Sequence, residues 1–323
     1  MNFLPKSQTQ LLHSLSYEGK MLQDLKMPTR KEVEQVLLRS LFNHNGVIKE
    51  FGAGEKIVEE IANDFNLNKE QRNAYLETIY IKEKRLKKSS LWHRLLFRAA
   101  DNLAKEKLIS RPTQTMLLTN KREWMLTEEG YDQALRLLCI PTTQKEVLRV
   151  KSYEIQKIVK KIIEQEKPEK YNPFEKSKKT YKISKEAKLR ERGFRQAIIE
   201  AYEYKCAVCG FKLNSPNNLQ WEVEAAHIVP HRLNGKDDIW NGFALCHLHH
   251  WAFDVGWFSL EDNYHVIATN KINSLEKIYG KIYNYDFIGQ LSNENLIIAM
   301  PNNKNNHTHI TAIKWHRENI LFK

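Results

Sequence analysis

Long apolar runs are missing from this 323-residue chain. None approaches the roughly 18 residues that a helix needs to cross a bilayer. The first residues, MNFLPKSQTQLLHSL, also lack the basic-then-apolar layout of a secretory signal. A cytoplasmic protein with no membrane partner is therefore expected. Cysteine is scarce as well: there are four, and Cys206, Cys209 and Cys246 fall in the C-terminal half. In a cytosolic chain such clustering argues for metal rather than for a disulfide framework. Cys139, alone at the end of the apolar run ALRLLCI, is expected in a core. Acid is short relative to base, with 39 Asp and Glu against 51 Lys and Arg, a net charge of +12.

That surplus suggests a polyanionic partner, although a soluble basic protein without one fits it equally well. Its distribution tips the balance. Residues 151–190 hold 13 Lys and Arg against 6 Glu, a net of +7, which suits a segment that tracks a phosphate backbone. A hydrophobic content of 41% and an aromatic content of 10% exclude a wholly disordered chain. The length allows two domains, each with its own core. No internal repeat is present.

Residues 1–30 carry little pattern and read as an N-terminal extension. From Lys31 the helical period is strong: Val33, Val36, Leu37, Leu41 and Phe42 share one stripe, closed by Gly46. A second amphipathic stretch carries Ile57, Val58, Ile61 and Phe65. A third runs from Leu91 to Ile109, with Pro112 just beyond. Short extended runs around a polar tip at Thr119–Arg122 follow, then a helix start at Thr127 and a closing helix. Three helices, a two-stranded wing and a last helix predict a winged helix over 31–140. A small helical bundle for protein contacts is the plainer alternative. The stretch resembles the N-terminal domain of Mrr-type restriction proteins in its helix spacing, in Trp92-His93-Arg94 and in the run Trp124–Gly130. The resemblance implies that the third helix borders the major groove. His93, Arg94 and Arg98 would contact DNA there, with Lys121 and Arg122 reaching the adjacent backbone. Residues 144–166 predict one amphipathic helix, and 167–185, with two prolines and many lysines, reads as linker. Together, 141–188 form a basic helical connector.

The chemistry concentrates between Arg195 and Gly256, where two ligand spacings interleave. Cys206-x2-Cys209 and Cys246-x2-His249 are two knuckles that supply four ligands for a structural, tetrahedral Zn²⁺, with Gly210 suited to the turn of the first. Four unrelated buried residues would be the plain reading. Zinc would also compensate for a core too small to hold alone. Inside this frame lie His227, on an extended run ended by Pro230, then Asn241, then His250 at the start of a helix that also holds Asp254. That order resembles the HNH, or ββα-metal, endonuclease superfamily. The wider region, from Arg192–Ile198 to Trp315–Glu318, resembles the HNH modules of bacterial modification-dependent and other restriction endonucleases.

The resemblance implies that His227 is the general base toward water, that Asn241 holds the loop that aims it, and that His250 is a ligand of a catalytic Mg²⁺ or Mn²⁺. Asp254, one turn on, shares the helical face of His250 and is the second candidate ligand of that ion. Many members carry a metal ligand just before the base histidine, where this chain has Ala226. Glu224 is a weaker candidate, since three residues back on a strand it should face away from His227. His231 and His247 are bystanders or phosphate contacts. The expected fold is α+β: a winged-helix domain joined by the basic linker to a zinc-stabilised ββα-metal HNH domain over 189–323. The expected function is a restriction-type endonuclease on double-stranded DNA, with methylated or hydroxymethylated cytosine a candidate requirement. A homodimer would be needed to cut both strands with one HNH site each. The alternative is a non-catalytic, zinc-stabilised winged-helix regulator, which would have no need of His227, Asn241 and His250 together.

Overall fold

The computed structural model describes residues 17–52, 55–80, 85–175 and 185–322. The chain divides at Thr142 into two compact units, Met1–Thr142 and Thr143–Lys323. Parts of the expected extension (1–16) and connector (176–184) lie outside the described residues.

The first unit runs α1 (Tyr17–Asp24), α2 (Arg30–Asn43), β1 (Val47–Lys49), α3 (Lys56–Asp64), α4 (Lys69–Asn73), β2 (Tyr75–Tyr80), β3 (Arg85–Ser90), α5 (Leu91–Lys105), β4 (Ile109–Ser110), α6 (Pro112–Thr119), β5 (Glu123–Leu126) and α7 (Glu128–Leu137). Helix α2 starts at a reciprocal cap in which the Thr29 backbone N–H donates to Glu32 at 2.7 Å and the Glu32 N–H to Thr29 Oγ1 at 3.3 Å. Its buried stripe, Val33, Val36, Leu37, Leu41 and Phe42, is the one that the sequence period picks out. Helix α5 packs on α2, burying Trp92, Leu95, Leu96, Ala99 and Leu103, and the Trp92 indole donates to the Val58 carbonyl at 3.2 Å. Strands β1, β5 and β4 form an antiparallel sheet in that order, with Val47 opposite Met125 and Ile109 opposite Leu126.

Two expectations fail in this unit. The stretch read as a two-stranded wing is instead strand, helix, strand. Pro112 occupies the first turn of α6, where its missing N–H costs nothing and its fixed φ suits a helix. The two-stranded ribbon comes earlier, as β2 and β3, with Tyr75 opposite Ser90. Cys139 is exposed: α7 ends at Leu137 and the chain turns through φ 54° at Cys139, which takes it off the apolar face.

The second unit contains α8 (Tyr153–Ile163), α9 (Lys185–Ala201), β6 (Val223–His227), β7 (Gly242–Cys246), α10 (His247–Asp254), β8 (Phe258–Leu260), β9 (Val266–Ala268), β10 (Lys281–Ile282), β11 (Tyr285–Asp286), α11 (Phe287–Leu291) and α12 (Ile310–Asn319). The single helix expected over 144–166 is broken. Ser152 accepts from the Ile155 N–H at 3.4 Å and starts α8 afresh, leaving Val147 exposed. Nor is α8 part of a free connector. It packs on α9, and Ile155, Val159 and Ile162 join Phe194, Ala197 and Ile198 in the core of this unit. Apolar burial outweighs the lysine content of the segment, whose charged groups sit on the other face. Further along, Tyr171 packs edge-on against Trp240 at 5.8 Å, and Phe174 bridges to Gly235. The strand pair read after Gly256 is present as β8 and β9, turning over Glu261–His265.

Candidate active site and metal cluster

Strand β6 pairs antiparallel with β7, placing His227 opposite Gly242 and Val223 opposite Cys246, and β7 runs directly into α10. Strand β6, the loop that follows it, α10 and the end of α12 border a cavity of about 440 Å³ whose lining includes Ala225, His227, His231, Arg232, His250 and Asp254. The structure therefore brings the expected base and both expected ligands onto one cavity.

His227 is held at one ring face and at one ring nitrogen. Its ring stacks on Phe194 of α9, with centroids 4.1 Å apart and planes at 25°. Gly242 makes this possible, since a Cβ there would lie 2.8 Å from Phe194 Cζ. Nε2 of His227 is 3.0 Å from Asp237 Oδ1, while Asp237 Oδ2 accepts from Arg190 Nε at 3.0 Å. Burial would push the Asp237 carboxyl up. The His227 hydrogen bond and the charges of His227, Arg190 and His231 outweigh it and hold the group below the usual carboxylate range. Asn241 is fully buried and braces the loop that follows β6. Its Oδ1 accepts from the Val229 N–H at 2.9 Å, and its Nδ2 donates to the carbonyls of Val229 and Lys236, each at 3.0 Å.

His250 stands between two carboxylates, with Nδ1 2.9 Å from Glu224 Oε2 and Nε2 3.6 Å from Asp254 Oδ2. Burial pulls its pKa down, but the Glu224 hydrogen bond and the charges of Asp254 and Glu224 carry it above the ordinary imidazole range. The Asp254 carboxyl is raised, chiefly by burial, despite the charges of His250, Arg232 and His227. A cation placed beside it would favour its ionised form. Glu224 was expected to face away from the site; it instead meets His250 of α10, whose ring lines the cavity, and bridges also to His247 Nε2 at 3.3 Å. Ala226 is fully buried opposite Phe243 and does not line the cavity.

The expected zinc ligands converge. Donor atoms of Cys206, Cys209, Cys246 and His249 all lie within 4.8 Å of one another, the one such cluster among the described residues. Cys206 Sγ is 3.8 Å from His249 Nδ1, and Cys209 Sγ is 3.9 Å from Cys246 Sγ. A tetrahedral zinc with bonds of about 2.0–2.3 Å needs ligand separations of roughly 3.3–3.8 Å. The separations here, from 3.0 Å between Cys246 Sγ and His249 Nδ1 up to 4.8 Å, bracket that range, and three thiols with an imidazole are a zinc donor set. The first knuckle closes with the Gly210 N–H donating to the Cys206 carbonyl at 2.9 Å. The second is built by the junction of β7 and α10, where Cys246 caps the helix that carries His249 and His250.

In the first unit the expected DNA contacts are differently disposed. Arg94 and Arg98 both place Nη2 2.8 Å from Glu18 Oε2, a carboxylate only 7% exposed. Arg122 is paired with Glu50 at 2.5 Å. Lys121 is exposed and His93 half-buried. Arg98 and Arg122 line a cleft of about 620 Å³ together with Arg30, Lys105, Arg111 and the ring of Phe97. The sequence reading missed Asp237, Arg190 and Phe194 around the base, and Glu18 and Arg111 here. The one signal it held was the acidic pair Asp237-Asp238 shortly before Asn241.

The site thus brings together a strand bearing a histidine, a buried asparagine that closes the intervening loop, and a helix bearing histidine and aspartate. Residues 206–261 match the family described as HNH endonuclease, and this segment is an HNH endonuclease domain. A solved structure described as a modification dependent TagI restriction endonuclease is similar at 20% identity over 40% of this chain, with a TM-score of 0.29. The match covers 39% of that protein, so the chain spans about two fifths of its length. No curated protein matches the chain.

Proposed function

We propose that the chain is a metal-dependent, restriction-type DNA endonuclease in which the second unit cuts and the first reads. One observation carries the reading: within the matched segment, His227, His250 and Asp254 line one cavity. His227 takes a proton from water, whose oxygen adds to phosphorus. The P–O3′ bond then breaks, and the 3′ oxygen leaves with a proton from solvent. His231 and Arg232 sit in the same cavity, where they can bind the phosphate. A divalent ion such as Mg²⁺ or Mn²⁺, held by His250 and Asp254, would supply charge to the phosphate and the leaving oxygen. Glu224 accepts from His250 Nδ1 and so leaves Nε2 for that role. Zinc held by Cys206, Cys209, Cys246 and His249 would cross-link the strand pair to its helix.

The first unit is read as a winged helix. Its order of α2, β1, α3, α5, β4 and β5, with the three strands arranged β1-β5-β4, supports that reading, the ribbon β2-β3 being inserted before α5 and α6 replacing the wing. Its basic cleft beside α5 suits duplex DNA. Cutting both strands calls for a pair of chains, and modified cytosine is the first base modification to test. The deciding experiment is digestion of matched duplexes, unmodified, methylated and hydroxymethylated, with several divalent ions. Cleavage of none of them under any ion overturns the reading.

A further inference from the structure

We infer that Asp237 is the positioning residue of the base: it locks His227 in the Nε2–H tautomer, so that Nδ1 is the atom that takes the proton from water. This rests on the nuclease reading of the cavity.

The assignment follows from which groups can donate. An ionised carboxylate only accepts, so the 3.0 Å contact to Asp237 Oδ1 requires His227 Nε2 to carry hydrogen. The other carboxylate oxygen is committed to Arg190, so Asp237 has no freedom to swing away. The Asp237 side chain is 2% exposed, and His227 lines the cavity whereas Asp237 does not. The carboxylate therefore orients the ring without competing for substrate. Nδ1 makes no hydrogen bond among the described residues, while Phe194 against one face of the ring fixes its plane. When Nδ1 gains a proton the ring becomes a cation, and the buried carboxylate at its other nitrogen is already in place to balance it. The other charged and titratable neighbours include His231, whose ring lies 6.0 Å away, Asp254 and Arg232 on the same cavity, Asp238 next in the chain, and Glu175, 3.6 Å from Arg190.

The test uses the full chain as purified, labelled with ¹⁵N-histidine, at a pH well above imidazole titration, with His227→Gln to assign the resonance. The wild-type His227 should show hydrogen on Nε2 and a bare Nδ1. An Asp237→Asn variant offers an amide N–H in place of one acceptor oxygen. It should move the ring toward the Nδ1–H tautomer and slow single-turnover cleavage by roughly 10²–10⁴-fold, with DNA affinity kept within about twofold. A wild-type His227 found as Nδ1–H overturns the proposal, and so does a folded Asn variant that cuts within about threefold of wild type. The wild-type tautomer is read without any variant, so a misfolded Asn variant leaves the test intact. If the wild type cuts no DNA, the nuclease reading falls on its own, and the tautomer still decides whether Asp237 sets the ring.

Discussion

At the scale of single residues, the site separates groups that touch substrate from groups that aim them. His227→Ala removes the proton acceptor but none of the zinc ligands and no cation. Cleavage should fall by about 10²–10⁴-fold with folding and DNA affinity kept; a variant cutting within about tenfold of wild type would take His227 out of the mechanism. Glu224→Gln probes the other histidine. The Gln carbonyl can still accept from His250 Nδ1, but the charge is gone, so the ring becomes a weaker ligand. The divalent-ion concentration for half-maximal rate should rise roughly 10–100-fold, with the maximal rate less affected. An unchanged ion dependence would mean that Glu224 serves only His247 and the strand surface. His227, Asn241 and His250 were legible because their chemistry is tied to short spacing along the chain. Asp237 and Glu224 were not. The partner of Asp237 on its other side, Arg190, comes from α9, 47 residues earlier, and Glu224 was judged by strand alternation without the α10 histidine that it meets.

At the scale of elements, the strand pair and α10 depend on two things that sequence exposes unequally. The zinc knuckles were plain from the spacing of Cys206, Cys209, Cys246 and His249. Purified protein should hold about one zinc per chain. Cys206→Ser or Cys246→Ser should lower thermal stability, seen by circular dichroism, rather than slow cleavage alone; well-folded, zinc-free protein would contradict this. The fit between α9 and the strands was invisible, because it depends on what Gly242 lacks. Gly242→Ala puts a methyl within 2.8 Å of Phe194 Cζ and 2.9 Å of Ile198 Cδ1. It should cost about 1–3 kcal/mol in denaturant unfolding and displace the ring that His227 stacks on. Helix boundaries failed where a local cap or proline overrode the apolar period, at Ser152 and at Pro112. The basic connector failed for another reason: lysine count describes one face of α8, whereas the other face, with Ile155, Val159 and Ile162, decides where the helix packs.

At the scale of the whole molecule, the net charge of +12 favours a polyanionic partner without naming which cations would meet it. The sequence period found the helix that carries Arg94 and Arg98, yet their partner Glu18 lies in a segment with almost no pattern. Both guanidiniums share that one carboxylate, so they are poorer first contacts than the exposed Lys121, while Arg111 of the cleft is paired with Asp101 at 2.7 Å. Lys121→Ala and Arg111→Ala, each in the full chain, should weaken all duplexes alike and reduce the salt slope by about one unit for each phosphate left without its cation. Glu18→Gln tests the pair differently. Removing the shared counter-charge leaves two arginines uncompensated, so stability should fall. If α5 borders DNA, affinity should rise while the salt dependence steepens. Fluorescence anisotropy over a salt series reads both effects. Should Glu18→Gln leave affinity unchanged, Lys121 and Arg111 prove silent, and residues 143–323 alone retain full site preference, then recognition belongs to the HNH unit and the first unit serves some other partner.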